Sequence, residues 1–191
     1  SSALYTSDGK LLLTLGAERR NYLHSDKIPQ RMKDAVISVE DKRFYKEPLG
    51  LDPIRIAGSL LANIKGHDIS AGGSGITQQL IKLSVFSTDT SQRTLRRKAQ
   101  EAWLAMQISR QYSKEQILEF YINKVYMGYN TFGLGTAASY YFGKSPSKLD
   151  LAQTALLAGM LNAPIKFDPY LYPQNAQYRR DIVLYAMLKN N

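Results

Sequence analysis

Ile28-Pro29-Gln30-Arg31-Met32-Lys33-Asp34-Ala35-Val36-Ile37-Ser38-Val39-Glu40-Asp41-Lys42-Arg43-Phe44 is the stretch that decides the fold class. Pro29 suits a first helical position, where a backbone N–H would go unsatisfied in any case. Met32, Val36 and Val39 then recur at helical spacing, so a helix is predicted to run to about Arg43. At ~100° per residue Glu40 falls at the edge of that apolar stripe and Asp41 roughly opposite. A carboxylate at the border of an apolar face loses part of its hydration, which favours its neutral form and suits it to take a proton near neutral pH. The same residues also read as a solvated helix-end pair, and this segment alone does not choose between the two.

Working outward, Leu4-Tyr5-Thr6 and Leu11-Leu12-Leu13-Thr14-Leu15 flank Ser7-Asp8-Gly9-Lys10, whose Asp-Gly pair suits a tight turn, so a small β-hairpin is predicted. Asp52-Pro53 starts a second helix with Ile54, Ala57, Leu61 and Ile64 on its buried face, ending at Gly66. Helices follow at Ile76–Phe86 and at Arg93–Arg110, the latter with a stripe of Leu95, Ala99, Ala102 and Met106. Ser113-Lys114-Glu115-Gln116 is a capping box that opens a helix through Asn123. Leu134–Phe142, Leu151–Leu161 and Ala176–Leu188 complete a mostly α chain without internal repeats.

The 191 residues, 44% hydrophobic, suffice for one sizeable core. No window approaches the ~20 apolar residues of a membrane-crossing helix. The start Ser1-Ser2-Ala3-Leu4-Tyr5 lacks the features of a secretory signal and the end stops in mid-helix pattern, so both ends read as cuts within a longer polypeptide. Cysteine is absent, which removes disulfides, thiol nucleophiles and Cys-based zinc sites, and two histidines far apart do not make a metal cluster. His67 reads as a loop residue without a catalytic role. A net charge of +9 attracts nucleic acid, anionic lipid or phosphorylated substrates alike. No nucleic-acid reader motif is present, so nucleic acid is not the expected partner.

Positive charge gathers in mid-chain, where Lys82, Arg93, Arg96, Arg97 and Lys98 stand against the single acid Asp89. Ala71-Gly72-Gly73-Ser74-Gly75-Ile76-Thr77-Gln78-Gln79 runs a glycine-rich loop into a helix start, an arrangement that attracts an anion. It lacks the Gly-Lys-Ser/Thr ending of a nucleotide P-loop. Arg93, Arg97 and Glu101 share one helix face, with Lys98 beside Glu101. That face reads either as a solvated surface of i,i+4 pairs or as a clamp that neutralises a departing diphosphate. Leu80–Phe86 reads as core or as a surface touching lipid, and Tyr121, Tyr126, Tyr129, Tyr140 and Tyr141 as core or as sugar-stacking surface.

Taken jointly, these segments resemble the glycosyltransferase (transglycosylase, family 51) modules of bifunctional class A penicillin-binding proteins and their monofunctional relatives. The resemblance rests on Glu40-Asp41-Lys42-Arg43-Phe44; Gly72 to Gln79; Arg97-Lys98-Ala99-Gln100-Glu101; and Lys114 to Asn123, in that order, with Ala163 to Pro169 as a looser fifth motif. It implies a lysozyme-like, two-lobed helical fold with a head, a membrane-proximal jaw and a cleft between them. Residues 1–27 would be a β segment following a membrane anchor, and residues 28–191 the glycosyltransferase domain. The implied reaction is β-1,4 polymerisation of lipid II with inversion and release of undecaprenyl diphosphate, at the extracytoplasmic face of the bacterial cell membrane. Carried over residue by residue, Glu40 is the general base and Glu101 the second essential acid. Ser74, Gln78, Gln79, Lys82, Arg93, Arg97 and Lys98 match substrate-binding positions. No cofactor is required by the sequence, but the resemblance allows a divalent cation, Mg2+ or Mn2+, near Glu101. Implied partners are lipid II, the growing glycan, the membrane surface and moenomycin-type inhibitors.

Two departures from the family pattern stand out. Phe44-Tyr45-Lys46-Glu47-Pro48-Leu49-Gly50 has glutamate where the pattern carries histidine, and one extra residue before the glycine. Gly75 replaces the usual threonine, from which weaker substrate contacts or a more mobile loop are expected. With two carboxylates on such a fold, a lysozyme-like glycan hydrolase is the alternative, although cleavage has no need of a diphosphate clamp.

Overall fold

The computed structural model describes residues 2–9, 11–15, 19–54, 74–86 and 95–190. The predicted helix after Asp52 lies almost wholly outside them, as do Gly72, Gly73, His67 and Arg93. Among the described residues, β1 (Ser2–Tyr5) pairs antiparallel with β2 (Leu11–Leu15). β3 (Arg19–Arg20) pairs in parallel with β4 (Thr131–Phe132). The helices are α1 (Gln30–Glu40), α2 (Ile76–Val85), α3 (Leu95–Gln111), α4 (Lys114–Lys124), α5 (Leu134–Phe142), α6 (Leu151–Met160) and α7 (Pro173–Asn190). No helix among the described residues is long and apolar enough to cross a membrane.

Local chemistry accounts for the helix ends. Ser113 Oγ accepts the Gln116 N–H at 3.2 Å while Gln116 Oε1 accepts the Ser113 N–H at 2.9 Å, closing the predicted capping box at the start of α4. Asp150 and Gln153 make the same reciprocal pair at α6. Gly143, at φ +62°, ends α5 in the left-handed region that a side chain would resist.

α1, α6 and α7 pack against one another, and α2 packs on α3 and α4. Met32, Val36, Ile76, Leu80, Ile117, Leu118, Ile122, Leu134, Leu157 and Val183 belong to one continuous buried cluster joining both groups.

Three expectations are corrected. α1 ends at Glu40 rather than near Arg43, because Asp41 leaves helical geometry (φ −161°) to accept the Ile76 N–H at 2.9 Å. Asp41 is consequently buried and does not point to solvent. α3 hides Glu101 and Ala105, while Ala99 is exposed and Ala102 and Met106 are only partly covered. Alanine gains little by burial, so Ala99 and Ala102 carry little weight in choosing the inward face, and Glu101 is buried there with its charge paired by Arg97 and Lys98. α7 starts three residues before Ala176, at Pro173.

α1 and the chain just after it are tied to α4 through a polar cluster. Glu115 accepts from Lys33 Nζ at 2.6 Å and from the Tyr45 hydroxyl at 2.5 Å, and these bonds, Lys33 first, hold its carboxyl below the usual glutamate range. A carboxyl depressed by folding stabilises fully above its unfolded value, here 4.5, and that contribution is lost as pH falls through the folded value. The melting temperature of a Glu115→Gln variant should therefore fall less steeply than that of the parent below about pH 4.5, read by calorimetry. Because Glu115 is partly exposed, the effect should be small, within about 1 kcal/mol.

Candidate active site

α1, α2 and α4 bring the first carboxylate into place. Glu40 closes α1, and its side chain is held on both oxygens: Gln79 Nε2 donates to Oε2 at 3.0 Å and Asn162 Nδ2 to Oε1 at 2.7 Å. Arg179 Nη2 lies 3.9 Å from Oε1, a cation brought up by α7. Glu40 is only 8% exposed, so the solvated-pair reading of its segment does not hold. Gln79 is itself fixed, since its Oε1 accepts from the Tyr121 hydroxyl at 2.9 Å. Burial, with the nearby Glu40 and Asp41 charges, pushes the Tyr121 phenol well above its ordinary range, so this donor stays neutral.

The second carboxylate, Glu101, is 3% exposed and lies between two cations. Arg97 Nε approaches Oε1 at 3.3 Å and Lys98 Nζ reaches Oε2 at 2.8 Å. Lys98 Nζ also donates to Ser74 Oγ at 2.9 Å, and Gln79 Nε2 donates to the Ser74 carbonyl at 3.2 Å. Ser74 thus joins the two halves, and a continuous run of hydrogen bonds links Glu40, Gln79, Ser74, Lys98 and Glu101. Arg97 is anchored in addition by the Phe86 carbonyl at 3.3 Å and lies over the Phe86 ring.

Of the other candidates, Gln78 turns back to accept the Gly75 N–H at 3.3 Å, which makes it a cap of α2. Lys82 is exposed on α2. Tyr121 and Tyr141 are core residues, while Tyr129, 41% exposed, stacks on Tyr140 at the surface. Leu80 and Ile81 are buried but Val85 is exposed, so the run from Leu80 serves both core and surface.

A cation beside Glu101 does not fit this arrangement, because Arg97 and Lys98 already occupy both carboxylate oxygens and would repel it. Among the described residues, the carboxylates that gather closely are Asp41, Glu47 and Asp52. There Arg43 pairs with Asp52, Ile76 N–H binds Asp41, and the Lys114 ammonium lies over the Phe44 ring near Glu47 and Asp41.

The two departures meet in this acid cluster. The extra residue is absorbed by a left-handed turn at Leu49 and Gly50 (φ +52° and +69°), which leaves Leu49 outside and Glu47 inside. A Cβ on Gly75 would stand 2.6 Å from Asp41 Oδ2 and 3.2 and 3.3 Å from the Glu47 oxygens. The missing side chain therefore makes room for two carboxylates.

Sequence reasoning missed Asn162 and Arg179. Asn162 immediately precedes the looser fifth motif, and Arg179 carried no signal beyond its charge.

The family described as Transglycosylase matches residues 8–188. Penicillin-binding protein 1A of Streptococcus oralis is 48% identical over 187 residues, covering 98% of this chain and 29% of that protein. Penicillin-binding protein 1A/1B of Bacillus subtilis is 46% identical over 190 residues, covering 99% and 20%. The 2.6 Å crystal structure of penicillin-binding protein 1A from Haemophilus influenzae matches with a TM-score of 0.52 at 25% identity, over 97% of this chain and 17% of that chain. The chain thus spans less than a third of the length of these relatives.

Proposed function

The chain belongs to the transglycosylase family, and from that premise we propose that it polymerises lipid II into β-1,4-linked glycan strands for the bacterial cell wall. The observation that carries this reading is the hydrogen-bonded run from a buried carboxylate, Glu40, to a second carboxylate set between two cations. The 4-hydroxyl oxygen of the acceptor sugar attacks the donor anomeric carbon from the side opposite the diphosphate. A carbon–oxygen bond forms there while the bond to the diphosphate oxygen breaks, its electron pair leaving with undecaprenyl diphosphate and the configuration inverting. Glu40 takes the hydroxyl proton. Arg97 and Lys98, kept in place by Glu101, neutralise charge growing on the leaving diphosphate.

Exposed Val85 on α2 and Trp103 on α3, with Lys82 nearby in sequence, support contact of this part of the molecule with the membrane surface. The natural setting would be an anchored, extracytoplasmic, bifunctional polypeptide like the matching penicillin-binding proteins, with moenomycin-type compounds competing for the donor site.

The test is incubation with labelled lipid II and separation of glycan products by gel. Strands of increasing length, suppressed by a moenomycin-type inhibitor and lost in Glu101→Gln, are expected. Soluble muropeptides released from purified glycan with no lipid II consumed would overturn the proposal in favour of hydrolysis. Lys98→Ala, which cuts the link between Ser74 and Glu101, should raise KM for lipid II about tenfold, the loss of one charge-assisted contact. Steady-state kinetics at fixed ionic strength checks this.

A further inference from the structure

Among the described residues, the two side-chain amides that donate to Glu40 are not equivalent. Gln79 is locked: its amide nitrogen also bonds the Ser74 carbonyl, and its oxygen accepts from buried Tyr121. Asn162 lies in the turn after α6, is exposed, and its bond to Glu40 Oε1 is the only one of its side chain among the described residues. Oε1 is therefore the oxygen whose partner can be exchanged without disturbing the core.

We propose that Asn162 is a positioning residue that aims Glu40 Oε1 and holds the carboxylate ionised until the acceptor hydroxyl takes the place of its amide. The inference rests on the reading of Glu40 as the base. A hydrogen bond donated to a carboxylate favours the charged form and lowers its basicity. In the resting enzyme Glu40 is thus kept unprotonated. When the hydroxyl displaces the amide, the oxygen loses that stabilisation as its new partner presents the proton to be removed. Geometry and proton affinity change in one exchange.

Among the described residues, the other groups facing Glu40 are engaged elsewhere. From α7, Arg179 is held by the Gly159 carbonyl at 3.1 Å and stays 3.9 Å from Oε1. From α1's end, Asp41 is engaged with the Ile76 N–H. From α4, the Tyr121 phenol serves Gln79. α2 supplies Gln79 itself, and α6 carries no charged residue.

The test is the pH dependence of kcat/KM for lipid II polymerisation by the intact polypeptide, comparing the parent with Asn162→Ala, Asn162→Asp and Glu40→Gln. Removing a donor from a carboxylate raises its pKa, so the acid limb should move to higher pH by about one unit in Asn162→Ala, a tenfold loss of rate on the acid side. It should move further in the isosteric Asn162→Asp, whose own charge opposes that of Glu40. A residue that only supported the turn would lower the rate equally at all pH values. Acid limbs that coincide with the parent's in both variants, with Glu40→Gln inactive, would overturn the role of Asn162 and leave Glu40 standing. An active Glu40→Gln enzyme would remove both.

Discussion

A Gly75→Thr variant is expected to lose about 1–3 kcal/mol of stability, as overpacked cores do, together with most of its polymerising activity. The added Cβ would stand 2.6 Å from Asp41 Oδ2, closer than real side chains approach, and the neighbouring Glu47 oxygens at 3.2 and 3.3 Å limit where Asp41 can retreat. Asp41 accepts the Ile76 N–H, so displacing it loosens the first turn of α2. That turn presents Gln79 to Glu40, while Ser74 just before it meets Lys98. A disturbance at one backbone position thus reaches both carboxylates. For a chain of this size the stability loss corresponds to roughly 2–4 °C per kcal/mol in melting temperature. The resemblance drawn from the sequence leads one to expect threonine at this place and histidine where this chain has Glu47. Gly75→Thr combined with Glu47→His should therefore recover part of the lost stability and activity. Equal melting temperature and turnover in Gly75→Thr and the parent would contradict the packing argument.

How much of this was legible in the sequence follows from the range of the interactions involved. α4 and α5 begin where their local signals place them, because a capping box acts over three residues and apolar spacing over one or two turns. The end of α1 was not legible. Its last predicted turn is undone by Asp41 binding Ile76, a partner 35 residues away that no local pattern announces. The inward face of α3 was misjudged for a related reason. Periodicity weighs Ala99, Ala102 and Met106 as core, yet Glu101, satisfied by Arg97 and Lys98, is buried beside Ala105.

The site divides in the same way. Glu40, Glu101, Ser74, Gln79, Arg97 and Lys98 were nameable because several short motifs occur together, and the structure brings them into one hydrogen-bonded run. Gln78, named with them, accepts the Gly75 N–H and caps α2. Asn162 is 122 residues from the carboxylate it holds, and only folding reveals the pair. The departures at Glu47 and Gly75 were visible singly. Their common cause, competition for one space beside Asp41, required coordinates.

The central claim is that buried Glu40 takes the proton of the acceptor hydroxyl. Glu40→Gln keeps the shape of the side chain and one oxygen able to accept from Asn162 or Gln79, but it removes the base. The most direct measurement is the initial rate of glycan formation from labelled lipid II by the intact polypeptide and by Glu40→Gln at equal fold, checked by melting temperature. The account predicts a fall of about 10²–10⁴-fold in kcat, the usual worth of a positioned general base, with KM changed far less. A Glu40→Gln enzyme that lengthens glycan strands at the parent's rate would contradict it.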